Sequence, residues 1–190
     1  MKNNELNILV CGSQRFDDEP FVSGILDELF ANCDGKIDNL IVSRFSGACK
    51  FAQEWAVYKN ENEGGHIGIK EFAFDMKLEP KNTSLYEQLE IPDIILRNDD
   101  FFQKGCETLR DSGAKIVVAF PNLEGNLGAA TLNIQRFANL AEIPVFDCSD
   151  ALRLIHQHRM SMNAEETMMV PAETVGEKMG LENNNPRRKM

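Results

Sequence analysis

The stretch IVVAFPNLEGNLGAATLN, from Ile116 to Asn133, decides the fold because it joins a buried strand to a helix. Four apolar residues and Phe120 are typical of a strand, and Pro121 ends it because proline has no backbone N–H to donate. Two glycines and a run of small residues follow, and the next helix is expected to begin at about Ala129. The loop between them is either a cradle for a phosphate group or a simple turn.

Four other short apolar runs of this kind recur along the chain. Three of the five runs are continuously apolar, which is typical of strands buried on both faces of a parallel sheet. The predicted strands are Leu6–Cys11, Leu40–Ser43, Ile69–Phe74, Ile116–Phe120 and Pro144–Asp147. Segments with helical spacing lie between them. This alternation predicts an α/β fold with a doubly wound, mainly parallel five-stranded sheet flanked by helices.

The helical segments carry recognisable end signals. Pro20 suits the first turn of the first helix, and Ser46 is a candidate cap for the second. Asn98 is a candidate cap for the third helix, which Gly113 is expected to end. The predicted helices span residues 19–33, 46–60, 98–113, 129–140 and 149–158.

The periodic pattern dissolves beyond about Met160. We therefore expect one domain, residues 1–158, followed by an irregular and mobile C-terminal tail, residues 159–190. Residues 60–65 and 77–83 are polar and are expected to form surface loops.

Composition excludes several classes of function. A formal net charge of −10 argues against a nucleic-acid-binding protein. No apolar run approaches the roughly 18 residues that a membrane-spanning helix needs, and the N-terminus lacks a signal-peptide pattern. Five cysteines without a C-x-x-C pair indicate free thiols in a reducing compartment, so we expect a cytoplasmic protein. His156 and His158 are two residues apart on a helix and point apart, so no metal site is expected.

Residues that follow the predicted strands are the best candidates for a binding site. Ligands of doubly wound sheets bind beyond the carboxyl ends of the strands. Glycine allows close approach of the backbone, arginine suits phosphate, and a helix N-terminus attracts anions. The candidates are Gly12, Ser13, Gln14, Arg15, Ser43, Arg44, Ser46, Gly47, Arg97, Asn98, Pro121, Gly125, Asn126, Gly128 and Thr131. A turn that needs glycine explains each loop alone, whereas several such loops at one end of the sheet favour a ligand site.

The order of these motifs resembles a known family. The segments ILVCGSQRFDD, SGACKFAQEWA, RNDDFF, AKIVVAFP, GAAT and AEIPVFD are similar to the YspA-like branch of the SLOG superfamily. This branch has Rossmann-like relatives in the lonely-guy phosphoribohydrolases and the single-stranded-DNA-binding DprA proteins. The resemblance covers about residues 6–157. It implies a Rossmann-like fold and a nucleotide or nucleotide-derived ligand.

The resemblance also suggests a homodimer. Lonely-guy relatives dimerise through helices on one face of the sheet. The helix faces that carry Phe101, Phe102 and Phe137 are more apolar than one sheet is expected to cover.

The chain departs from the family pattern where the relatives have their catalytic glutamate. In the relatives this residue comes three positions after the threonine of P-G-G-x-G-T. The matching position here is Leu132 if Gly128 is the last glycine of the motif, and Ala129 if Gly125 is. Neither side chain acts as an acid or a base. The resemblance therefore favours a ligand-sensing protein without catalytic residues or a cofactor over an enzyme.

Further departures leave two alternatives to a binding module. Ser43 and Arg44 stand where the family has its first pair of glycines, which fits a protein-interaction module that lost its ligand. Glu124 lies within the loop after Phe120, directly before Gly125, and is a candidate substitute for the missing glutamate. That substitution would give an N-glycosidic hydrolase of nucleoside monophosphates.

Overall fold

The computed structural model describes residues 5–43, 47–74, 92–122, 124–155 and 157. The chain divides into two units, Met1–Arg153 and Leu154–Met190. The fold and the candidate site belong to the first unit. The predicted tail, the predicted loop at residues 77–83, and the candidate residues Arg44 and Ser46 lie outside the described residues.

Five strands form one sheet in the order β3–β2–β1–β4–β5, and every pairing is parallel. The strands are β1 Asn7–Gly12, β2 Asn39–Val42, β3 Gly68–Glu71, β4 Ile116–Phe120 and β5 Val145–Asp147. The chain builds the sheet outward from β1 on one side, returns to the centre, and builds outward on the other. The predicted doubly wound α/β fold is confirmed, and the described sheet is wholly parallel.

The three central strands are the continuously apolar runs of the sequence. Leu9 of β1 lies between Ile41 of β2 and Val117 of β4, and all three are at most 1% exposed. Edge strand β3 is shorter than predicted and ends at Glu71. Ile69 on this strand is 44% exposed, because an edge strand has a neighbour on one side only.

The helices follow the predicted order, with one additional short helix and two differences at helix ends. They are α1 Glu19–Asn32, α2 Ala48–Asn62, α3 Asp93–Asn98, α4 Asp100–Asp111, α5 Ala129–Leu140 and α6 at residues 149–155. Asn98 ends α3 instead of capping α4. Asp99 caps α4, and its Oδ1 accepts a hydrogen bond of 2.9 Å from the Phe101 N–H. Because α2 continues to Asn62, the loop predicted from residue 60 begins later.

Two hydrophobic clusters cover the two faces of the sheet. Helices α1 and α2 pack on one face together with Cys148 and Leu152 at the start of α6. Helices α3, α4 and α5 pack on the other face. None of the described helices is long and apolar enough to cross a membrane.

Some side chains differ in burial from the sequence expectation. Val22 and Leu26 are the fully buried residues of α1, whereas Ile25 and Leu29 pack only partly against the cluster. Helical spacing places Tyr58 on the same face of α2 as Trp55, but Tyr58 is 56% exposed. The helical spacing was therefore correct, but the centre of the buried face lies elsewhere on the helix.

The phenylalanines that suggested a dimer are covered within the chain. Phe102 and Phe137 are 0% exposed and Phe101 is 7% exposed. Phe74 packs against Phe101 and Phe137, with ring centroids 5.5 and 5.1 Å apart. The expectation of surplus apolar surface at these residues was wrong, because these rings fill one cluster.

Candidate functional site

The centre of the sheet is the point where the chain changes direction. Strands β1 and β4 are neighbours there, and the loops that follow them leave in opposite directions. Such a switch point opens a crevice beyond the carboxyl ends of the strands, where ligands of this architecture bind. The loops after β1 and β4 are therefore the natural walls of a site.

Gly12 and Gly47 lie where the end of β1 and the loop after it pack against the start of α2. A Cβ atom on Gly12 would lie 2.9 Å from the Cβ atoms of both Ala48 and Phe120. Gly47 has a φ of 75°, and a Cβ atom there would collide with the carbonyl oxygen of Ser13. The two loops are in direct contact, and both glycines are required by packing alone. This geometry supports the alternative in which these glycines serve the turns.

Ser13 and Ser43 take part in local structure. The Oγ of Ser13 accepts a hydrogen bond of 3.2 Å from the Arg15 N–H, which shapes the turn after β1. The Ser43 hydroxyl donates to the Cys49 sulfur at 3.2 Å, toward α2. The Arg15 side chain is exposed and forms no ion pair with a described carboxylate. Of these candidates, Arg15 has its charged group open to a ligand.

The loop after β4 and Pro121 is closed by its own hydrogen bonds. The Oδ1 of Asn122 accepts from the N–H groups of Glu124 at 3.0 Å and Asn126 at 2.9 Å. The Gly125 N–H donates to the Asn122 carbonyl at 2.9 Å. Because these N–H groups are already hydrogen-bonded, Gly125 and Asn126 do not offer backbone donors to a phosphate.

Open backbone donors occur three residues later, at the start of α5. Gly128 caps this helix without a side-chain hydrogen bond, and the first turn has no acidic residue. Gly128 has an ordinary φ of −70°, and a Cβ atom built on it would meet nothing within 4 Å. Thr131 in the same turn is 3% exposed, and no described residue hydrogen-bonds its hydroxyl. The first N–H groups of a helix have no partner within it, so this end attracts anions.

A polar cavity of about 400 Å³ lies beside this helix start. Its walls come from the loop after β4, from α5, and from the junction of β5 with α6. They consist of Gly125, Asn126, Leu127, Leu132, Gln135, Asp147, Ser149, Asp150 and Arg153. Arg153 crosses over Gly125, and its Nη1 lies 3.2 Å from the Asp150 Oδ1.

The sequence interpretation missed the contribution of the fifth strand. Asp147, Ser149, Asp150 and Arg153 belong to the segment DCSDALR, which begins with the last residue of β5. The rule that directed attention to the ends of the other strands applies equally to this strand. The sequence interpretation assigned these polar residues only to a helix start. They do serve one, because the Asp147 Oδ1 accepts a hydrogen bond of 2.8 Å from the Ser149 N–H.

Arg97 and Asn98 are not among the residues that line this cavity. Arg97 lines a separate cavity on the outer side of α4, together with Arg110 and Leu140. Glu124, the candidate substitute for the missing glutamate, is exposed and is also absent from the cavity wall. The structure therefore brings together only part of the predicted set.

The thiols beneath the site are neutral. Burial, together with a smaller effect of the nearby Asp147 carboxylate, raises the pKa of Cys148 to about 12. Burial also raises the pKa of Cys11, to which the Cys49 and Cys148 thiols add. A thiolate nucleophile is therefore not expected here. The described residues also contain no cluster of three His, Cys, Asp or Glu side chains that could hold a metal ion.

The candidate site thus combines an uncapped helix start with a cavity that carries two carboxylates and one arginine. Its helix start offers N–H donors, and its cavity offers both donors and acceptors. No protein-family model matches the chain, and no curated protein or solved structure matches it either.

Proposed function

We propose that this domain binds a nucleotide or nucleotide-derived ligand, with its phosphate at the N-terminus of α5 and its sugar in the adjacent cavity. The observation that carries the proposal is the uncapped start of α5 next to a polar cavity between the loop after β4 and the junction of β5 with α6. An ADP-ribose-like molecule carries both a phosphate, which suits the helix start, and a sugar, which suits the polar cavity.

The proposed phosphate site rests on backbone N–H groups that have no hydrogen-bond partner among the described residues. The N–H groups of Ala129, Ala130 and Thr131 lie in the first turn of α5, where no described side chain caps them. The Thr131 hydroxyl adds a donor in the same turn. Arg15 belongs to the loop after the neighbouring strand β1 and has an exposed guanidinium. Backbone donors, a hydroxyl and a guanidinium together suit a phosphate group.

The sugar end of the proposal rests on the carboxylates. Asp147 and Asp150 accept hydrogen bonds, which ribose hydroxyls donate, whereas a second phosphate would be repelled by them. An acidic residue beyond a strand commonly holds ribose in doubly wound folds. The side-chain amides of Asn126 and Gln135 can pair with the edge of a base. The volume of about 400 Å³ falls in the usual range for small-molecule sites.

The composition of the cavity wall favours binding over catalysis. Leu132 occupies the wall at one of the two positions that correspond to the catalytic glutamate of the lonely-guy relatives. Leucine transfers no proton, and the exposed Glu124 is not part of the wall. A ligand-sensing role is therefore the better proposal than N-glycosidic hydrolysis.

The proposal extends to the compartment and the oligomeric state of the protein. All five cysteines are free, which supports a reducing compartment such as the cytoplasm. A homodimer stays a prediction from the resemblance.

The test is calorimetric titration of the full chain with AMP, ADP and ADP-ribose, repeated with Gly128→Asp and Gly128→Ala. The aspartate variant places a negative charge and a capping oxygen on the free donors, so it should abolish binding without loss of stability. The alanine variant should bind normally, because its Cβ atom meets nothing within 4 Å.

Two outcomes would contradict the proposal. The absence of binding by the unaltered protein at millimolar ligand would favour a protein-interaction module. Equal binding by Gly128→Asp would place the ligand elsewhere. An assay for free-base release from nucleoside monophosphates, performed on the same samples, separates binding from hydrolysis.

A further inference from the structure

A second polar cavity, of about 350 Å³, lies on the outer side of α4. It is lined by Arg97, Gln103, Cys106, Glu107, Arg110 and Leu140, which come from α3, α4 and the end of α5. None of these residues lines the cavity beside the start of α5. The two cavities are therefore separate candidates.

Two arginines line this cavity, and neither is held in an ion pair within the described part of the chain. Neither Arg97 nor Arg110 forms an ion pair with a carboxylate among the described residues. Each is in the last turn of its helix, where the helix dipole favours a cation. That effect explains each arginine alone, but it does not explain why both line one cavity.

Glu107 is the third charged group of the cavity, and the net charge of the cavity remains positive. The Gln103 amide donates to the Glu107 Oε1 at 3.2 Å and so partly occupies that carboxylate. Two arginines against one glutamate give the cavity a charge of +1, on a chain with a net charge of −10. An anion bound here would balance this positive charge and accept hydrogen bonds from the guanidinium groups.

Apolar surface lies next to the guanidinium groups. Leu140 and Cys106 are each 7% exposed and contribute apolar wall. Burial raises the pKa of the Cys106 thiol, while Arg110 and Arg97 oppose that rise, so both charges act on the same sulfur. The thiol is neutral, and this surface suits an apolar group attached to the anion.

We propose that Arg97 and Arg110 form a binding site for the phosphate monoester of a small organic molecule. Two planar guanidinium groups provide the paired donors that a doubly charged phosphate accepts. Leu140 and the Cys106 side chain contact the organic part. This site is independent of the proposed nucleotide site and does not require that proposal to be correct.

The experiment is an NMR titration of the full chain with phenyl phosphate at constant ionic strength, following the Nε–Hε signals of the two arginines. Inorganic phosphate serves as the comparison ligand. The Gly128→Asp background removes anion binding at the start of α5. We expect saturable shifts of both signals, and tighter binding of phenyl phosphate than of inorganic phosphate because of the apolar wall.

Matched variants make the result specific. Arg97→Gln and Arg110→Gln should each weaken binding about tenfold or more, since each removes charge-assisted hydrogen bonds. Glu107→Gln should tighten binding severalfold. Lys104→Gln removes the same charge from the exposed side of α4 and should leave affinity within about twofold. Shifts that never saturate, or an equal loss with Lys104→Gln, would overturn the assignment.

Discussion

Gly47 and Gly128 both directly precede a helix, and they have opposite requirements. Gly47 has a positive φ and is packed against the backbone of the loop after β1. Gly128 has an ordinary φ, and the space over it is empty. Packing therefore explains the first glycine, whereas the second occupies an N-cap position where glycine is favoured and leaves the helix start open.

Substitution by alanine should separate the two residues. Gly47→Ala forces a Cβ atom against the Ser13 carbonyl and imposes a left-handed backbone on alanine, so we expect a loss of about 2–4 kcal/mol in the free energy of unfolding. Gly128→Ala should lower it by about 1 kcal/mol or less, because alanine is a poorer N-cap than glycine but meets no steric clash here. Urea denaturation followed by the fluorescence of Trp55, the single tryptophan, measures both. Equal stability of the two variants would contradict the packing explanation.

The sequence identified only part of the candidate site. Gly12 and Gly47 were selected because a missing side chain allows a ligand to approach. The same missing side chain also allows a helix to approach, and only the distances to Ala48 and Ser13 distinguish the two. Arg97 precedes α4 in the chain, but its position relative to the crevice depends on how the chain packs.

At the scale of elements, the loop after β4 depends on one side chain. Asn122→Ala removes the oxygen that accepts from the Glu124 and Asn126 N–H groups, so we expect a loss of about 1–2 kcal/mol in stability. Hydrogen exchange at these two amides should become faster. Asn122→Asp keeps an acceptor and is the control. Unchanged exchange in the alanine variant would show that backbone hydrogen bonds alone hold the loop.

The contact between α1 and α2 is centred on a carboxylate. The Asp27 Oδ1 accepts from the Trp55 indole at 2.9 Å and lies 2.9 Å from the Lys59 Nζ. Burial raises the pKa of Asp27, but the hydrogen bonds from Trp55 and Lys59 outweigh it, and the pKa is lowered overall. Hydrogen bonds from Lys59 to Glu63 and Asp27 raise the pKa of Lys59. The pair is thus stable in its charged form.

This pair predicts a dependence of stability on pH. A lowered carboxylate pKa contributes stability above the unfolded value of about 4 and loses it as the pH falls through the folded value. Asp27→Asn should therefore be less stable than the unaltered protein at pH 7, by no more than about 1 kcal/mol because the carboxylate is half exposed. The difference should shrink below about pH 4. Urea denaturation across this range is the measurement.

Glu28→Gln removes the same charge from α1 without breaking an ion pair among the described residues. It should show no such trend, and a similar trend would point to net charge instead of the pair.

The ends of the elements were harder to predict than their existence. Residues 98–100 read N-D-D, and all three are of types that cap helices. Sequence cannot choose between adjacent residues of equal preference, and Asp99 forms the cap because α3 extends to Asn98. Similarly, the polar residues at 60–62 suit a surface helix end as well as a loop.

At the scale of the whole molecule, the fold was predictable because three levels of pattern agreed. Continuous apolar runs indicated central parallel strands, helical spacing indicated crossovers, and their alternation indicated double winding. Strand β4 pairs with both β1 and β5, and the candidate cavity lies on the β5 side, between the loop after β4 and the segment after β5. What the sequence did not reveal was the part played by the segment after β5, since its role depends on the adjacency of β4 and β5.

The cysteines give a prediction about the molecule as a whole. Cys11, Cys49, Cys106 and Cys148 are buried, whereas Cys33 is partly exposed. Iodoacetamide at pH 8 should modify Cys33 first and reach the other four only in urea, with mass spectrometry as the readout. Rapid native-state modification of Cys148 would contradict the burial of the thiols.

The same burial sets the alkaline limit of stability. Burial raises the pKa of Cys11, Cys49 and Cys148, so these thiols stay neutral in the folded chain. In the unfolded chain they ionise above about pH 8.5. The unfolded state then binds fewer protons, and stability should decline as the pH rises beyond that value.

The register of the sheet has a consequence for synthesis of the chain. Ile8 of β1 pairs with Ile116 of β4, a residue that emerges 108 positions later (116 − 8). A nascent chain can pair β1 with β2 early, but one edge of β1 stays open until β4 leaves the ribosome. An apolar open edge invites pairing with other chains. Release of a truncated product that ends before residue 116 would therefore create an aggregation-prone fragment, and completion of the sheet protects the finished chain from this fate.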